Sequence, residues 1–130
     1  MKSNIRNFRD PLIWTHFLWF CNGFLYWFAQ YKLLSLLVFC HAILSWCYHR
    51  SKESSDVFFL GERLFIHACI ACISVHLFVE CSALQISLSL LWLIGCLIVL
   101  ELDNHRYGPF HVLWHVMVFL AHVLIWGFLV

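Results

Sequence analysis

Histidine is the reactive residue type that this sequence carries in excess: nine in 130 residues. Two of them, His111 and His115, stand four residues apart, as do Ser45 and His49. Four residues make just over one helical turn, so each pair lies on one helix face with its members about 6 Å apart along the axis. Imidazole is a common zinc ligand, and a catalytic zinc centre holds three protein ligands with a fourth position open. His49, His111 and His115 as metal ligands, with Glu62 as an acid/base group and Ser45 as a hydroxyl, have the parts of a hydrolytic zinc site. An H-x-x-x-H pair alone says little in a chain so rich in His. Its meaning depends on whether the helices bring these five residues to one level.

The chain is 63% hydrophobic and only 12% charged, with a mean hydropathy of +0.84. Soluble domains carry about twice that charge, so there is too little here to coat a water-facing globule. A net charge of +1 also excludes a nucleic-acid binder, which needs a basic surface. The reading is an all-α, multi-pass transmembrane helical bundle forming a single domain over residues 1–130. A crossing takes about 20 mostly apolar residues, and five stretches fit: 11–30, 32–49, 57–79, 83–100 and 109–129. The first follows Lys2, Arg6 and Arg9 like a signal peptide, but it is long, rich in Trp and Phe, and without a small-x-small cleavage site. It is read as a retained span.

Asp10 and Pro11 suit the N-cap and first residue of the first helix, and Pro109 suits the start of the fifth. Gln30 to Lys32 and Glu80 to Ser82 read as tight turns. His49 to Asp56 and Glu101 to Pro109 read as the more polar loops, with Asp56 left in its loop. Short connections imply an up-down bundle. Five crossings put the N-terminus, the 49–56 loop and the 101–109 loop on one side, with Lys2, Arg6, Arg9, Arg50, Lys52, Arg63 and Arg106. The other side has only Lys32 of the eight basic residues. That bias predicts a cytosolic N-terminus and a C-terminus across the membrane. In the same topology His49, Glu62, His111 and His115 meet at the cytosolic level, from three helices.

The string SWCYH (Ser45 to His49), an acidic residue early in the next helix, and HVLWH (His111 to His115) in the last helix resemble the CREST superfamily. That group includes the alkaline ceramidases, the adiponectin and progestin receptors, GPI-remodelling lipid hydrolases and haemolysin-III-like proteins. The resemblance covers the stretch from about Ser45 to the C-terminus. It implies an intramembrane Zn²⁺ site with hydrolase chemistry on a lipid amide or ester, the partner being a membrane lipid. This chain departs from the pattern twice. It has five spans where the family usually has seven, although loss of an adjacent pair preserves the direction of the last helix. Leu60 stands where the family expects Asp; of the nearest acids, Asp56 and Glu62, the latter best fits the helical context.

Other features read more plainly. Cys69 and Cys72 form a C-x-x-C whose small side chains suit close helix packing, and the seven Cys imply no disulfide framework. His16 is read as interfacial, with lining the site as the alternative. His41, His67, His76 and His122 lie deeper, where some should make interhelical hydrogen bonds. They also admit a rival function, a haem-binding membrane electron carrier. A non-enzymatic membrane assembly or binding protein is the other alternative. A di-iron hydroxylase would need H-x-x-H-H boxes, which are absent, and no repeat or discontinuous helix pair suggests a transporter.

Overall fold

The computed structural model describes residues 9–103 and 109–130. It contains five α-helices: α1 (Pro11–Phe28), α2 (Lys32–Arg50), α3 (Asp56–Glu80), α4 (Ala83–Asp103) and α5 (Pro109–Leu129). No strand occurs among the described residues, so the chain is an all-α bundle. The helix starts follow local chemistry. Asp10 caps α1, its Oδ1 accepting from the Leu12 amide at 2.9 Å, with Pro11 as the first helical residue. Ser55 caps α3 through the Phe58 amide, and so Asp56, expected in the loop, is instead the first residue of α3. There its carboxylate complements the positive end of the helix dipole.

Two helix ends close in the same way. After α1, Tyr31 N–H donates to the Tyr26 carbonyl (2.9 Å) and Gln30 N–H to that of Trp27 (3.2 Å). This is a Schellman turn, which needs a left-handed residue; Gln30 supplies it with φ 71°. After α2, Glu53 N–H donates to the Tyr48 carbonyl (3.0 Å) and Lys52 N–H to that of His49 (3.1 Å), with Lys52 at φ 53° and Glu53 at φ 57°.

Side-chain pairs fix the helix directions. His16 meets Ser45, and Gly23 meets Ser35, so α1 and α2 are antiparallel. Thr15 meets His115 and Tyr26 meets His122, so α1 and α5 run parallel. Ser45 meets Glu62 near one end of α3, while Tyr31, just before α2, meets Glu80 at the other. The spatial order is therefore α3, α2, α1, α5, α4, and α1 lies between α2 and α5. The sequence neighbours α3 and α4 scarcely pack together. They leave a lateral seam, beneath which lies an apolar groove of about 180 Å³ lined by Ile66, Cys69, Ile73, Leu93, Trp114 and Val118.

Four helices, α2 to α5, are long and apolar enough to cross a membrane. The outside of the bundle is correspondingly apolar, with Leu36, Leu60, Val75, Leu91 and Ile98 all exposed. This is a multi-pass membrane protein. The helix α1 is not among those four, although the sequence reading makes it a span. Its inner face carries Thr15, His16 and Asn22, all buried, together with Trp19 and Tyr26. These groups lower its hydropathy while placing it in the middle of the bundle.

Candidate metal centre

The directions above bring one end of each of α1, α2, α3 and α5 together. His16, His49 and His115 each offer a ring nitrogen, and the three atoms lie within 4.8 Å of one another. All three side chains are buried, His16 and His115 completely. Three imidazoles at this separation fit a single metal ion, which would draw them slightly closer to reach ~2.0–2.1 Å bonds.

The other ring nitrogen of each histidine is anchored. His16 Nδ1 lies 2.7 Å from the Leu12 carbonyl, which can only accept, so the proton sits on Nδ1. His49 Nδ1 lies 2.8 Å from Glu53 Oε1, and His115 Nδ1 lies 3.2 Å from Thr15 Oγ1. Metal-binding histidines characteristically have this outer hydrogen bond, which sets the tautomer and holds the ring in place. This leaves the Nε2 atoms of His49 and His115 for the shared space, while that of His16 also meets Ser45 Oγ at 3.1 Å. That of His115 is buried with no hydrogen-bond partner among the described residues, which leaves its lone pair open to a water or an ion.

Glu62 and Ser45 complete the layer. Ser45 Oγ donates to Glu62 Oε1 at 2.6 Å and lies 3.1 Å from His16 Nε2. Glu62 Oε1 is 3.9 Å from His49 Nε2. That places the carboxylate beside the three histidines, close enough to serve a water held among them. His111 packs against two of the three histidines, its ring centroid 5.0 Å from that of His49 and 5.1 Å from that of His115. The structure therefore brings together all five residues expected from sequence, Ser45, His49, Glu62, His111 and His115. It adds His16 to the tightest group, where sequence reasoning had preferred an interfacial role. A cavity of about 70 Å³ borders this layer, lined by His41, His49, Glu62, Arg63, His111 and Trp114. It shares Ile66 and Trp114 with the apolar groove under the α3–α4 seam.

The deeper histidines separate into two pairs. His67 is exposed and His76 half-buried on α3, bonded to the Arg63 carbonyl and to Glu80 respectively. His41 and His122 are buried, and His122 Nδ1 makes the expected interhelical bond to Tyr26 Oη at 3.0 Å. The Trp19 indole packs edge-on against both His41 and His122, with centroids 4.6 and 5.5 Å away. All seven cysteines are free, with Cys69 buried in the same core cluster as Trp19 and Ile73.

Arg9, Arg50, Lys52 and Arg63 lie at the same end as this layer, and Lys32 lies at the opposite end. Lys2, Arg6 and Arg106 fall outside the described residues. Comparison of the chain with protein-family models, with curated proteins and with solved structures finds no match.

Proposed function

We propose that this protein is an intramembrane zinc-dependent hydrolase of a lipid amide or ester, in the manner of the CREST group that its motifs resemble. The observation that carries the reading is the buried His16, His49 and His115 group, each ring anchored on its far nitrogen, with the Glu62 carboxylate 3.9 Å from His49. A zinc ion there would supply Lewis acidity toward a carbonyl oxygen and lower the pKa of a water toward ~7. The chain's own groups do the rest. Glu62 takes a proton from the attacking water as its oxygen bonds to the carbonyl carbon. It then gives that proton to the departing amine nitrogen or alcohol oxygen as the C–N or C–O bond breaks, leaving a carboxylic acid. Ser45, donating to Glu62 Oε1, fixes the direction of that carboxylate and can turn its hydroxyl to a developing oxyanion.

The lipid class follows from access. The cavity beside Glu62 shares Ile66 and Trp114 with the apolar groove beneath the α3–α4 seam, and an acyl chain lying in that groove would enter sideways from the bilayer with its polar linkage toward the histidines. The helix α1 is read as a fifth crossing, since it runs beside α5 from Thr15 to Tyr26. With the basic residues clustered at the histidine end, the N-terminus and the metal layer face the cytosol, and the C-terminus lies across the membrane.

A haem held between His41 and His122 is the rival that the histidine count allows. The Trp19 indole stands against both rings, where a macrocycle would have to lie. Elemental analysis of the purified chain, with assays on ceramide and lysolipid vesicles, tests the proposal. About one zinc per chain and turnover of one substrate are expected. A Soret band, or no metal at all, overturns it.

A further inference from the structure

We infer that Glu53 is a positioning residue for the metal centre, held on His49 by a strained turn at the end of α2. This rests on the zinc reading above. Glu53 lies in the loop, outside any helix, and nothing in its sequence context marks it as part of a site. The structure nevertheless places its Oε1 2.8 Å from His49 Nδ1, with His49 almost wholly buried and the Glu53 side chain only 11% exposed.

The backbone explains how it gets there. The Schellman turn after Tyr48 needs one left-handed residue, and Lys52 supplies it. Glu53 is left-handed as well, with φ 57°. Two consecutive non-glycine residues in this region are costly, and such conformations persist where their surroundings require them. Here the second one folds the chain back over the last turn of α2. The carboxylate of Glu53 then faces the residue four positions earlier on the turn that has just ended. A carboxylate on Nδ1 fixes His49 as the tautomer with its proton on that nitrogen, turns Nε2 toward His16 and His115, and makes the imidazole a stronger donor to a metal.

A turn role and a positioning role can be told apart. Asn adopts the left-handed region more readily than Glu, but its shorter side chain cannot reach His49. Glu53→Asn should therefore keep or improve the turn while losing the carboxylate contact. Zinc affinity of the full chain in detergent, measured against a chromophoric chelator, is expected to fall ~10–100-fold, the usual effect of removing an outer-shell partner. The melting temperature of the zinc-free protein should fall only slightly, the easier turn offsetting the hydrogen bond that buried His49 loses. Glu53→Gln keeps the length and one acceptor oxygen, and should lose part of that affinity at an unchanged melting temperature; it carries the test if the Asn variant does not fold. Wild-type zinc affinity in both variants overturns the positioning role. Absence of zinc from the wild-type protein overturns the metal reading itself, and the inference with it.

Discussion

The sharpest test of the proposed zinc site is which histidines would hold the ion, because sequence and structure give sets that differ by one member. From sequence the ligands are His49, His111 and His115; in the structure the ring nitrogens closest together belong to His16, His49 and His115. The perturbations are His16→Ala and His111→Ala, with His67→Ala as a control on an exposed face of α3. Zinc held by a full protein ligand set is worth roughly 10–16 kcal/mol at neutral pH in small zinc domains. Divided among the four ligands of such a site, one imidazole accounts for about 2.5–4 kcal/mol, or ~10²–10³ in affinity. His16→Ala should lose that much. His111 lies outside the group whose ring nitrogens come within 4.8 Å of one another, so its removal should cost no more than about 10–100-fold, the scale of outer-shell partners. His67→Ala should change nothing.

The assay is competition against a chromophoric chelator in detergent, repeated at several chelator concentrations so that affinities over four decades can be ranked. A larger loss from His111→Ala than from His16→Ala would refute the structural assignment and restore the set expected from sequence. Equal losses from all three variants, His67→Ala included, would mean that zinc binds adventitiously to a histidine-rich chain.

Three further outcomes follow from particular contacts. Glu62→Gln keeps the volume but cannot accept a proton, so zinc should stay while lipid hydrolysis falls ~10²–10⁴-fold; Asp56→Asn, at the start of α3, should change hydrolysis little, and the reverse order would move the acid/base role to Asp56. Single cysteines at Ser54 and Ser82, in a background lacking reactive thiols, should label from opposite sides of the membrane; labelling from one side would break the span assignment. Gly23→Ala should destabilise the bundle by about 1–3 kcal/mol, read as a lower melting temperature, because a Cβ there would come within 2.6 Å of the Phe39 ring, which Phe20 and Phe24 hold in place.

Much of the fold was legible because the bilayer constrains it. Apolar runs near 20 residues, separated by short polar breaks, leave few choices of element, and Asp10, Pro11 and Pro109 marked helix starts that the structure keeps. The alternation of spans was enough to bring Ser45, His49, Glu62, His111 and His115 to one level. The order of helices around the bundle was not legible. It depends on which faces pack, and in a chain apolar nearly all round, the hydrophobic pattern does not separate inside from outside. The open seam between α3 and α4, and with it the lateral groove, could only come from the structure. Glu53 was hidden for a different reason: its place depends on two left-handed residues, Lys52 and Glu53, of types that rarely adopt that conformation.

His16 is the instructive miss, because its signal was present. Both α1 and α5 begin at a proline, Pro11 and Pro109. His16 stands five residues beyond the first and His115 six beyond the second, so along parallel helices they differ in depth by only about 1.5 Å. That comparison requires α1 and α5 to be neighbours, and an up-down reading makes them parallel without making them adjacent. Composition then worked against the residue. The polar groups that make α1 the least convincing span, Thr15, His16 and Asn22, are those that the structure buries on its inner face. In a soluble protein such a stripe would face water. In a membrane bundle a polar stripe on an otherwise apolar helix is costly toward lipid, and so it turns inward, toward partners or a bound ion. The helix whose hydropathy is weakest is for that reason the one placed between α2 and α5, and it is where a further ligand should have been sought.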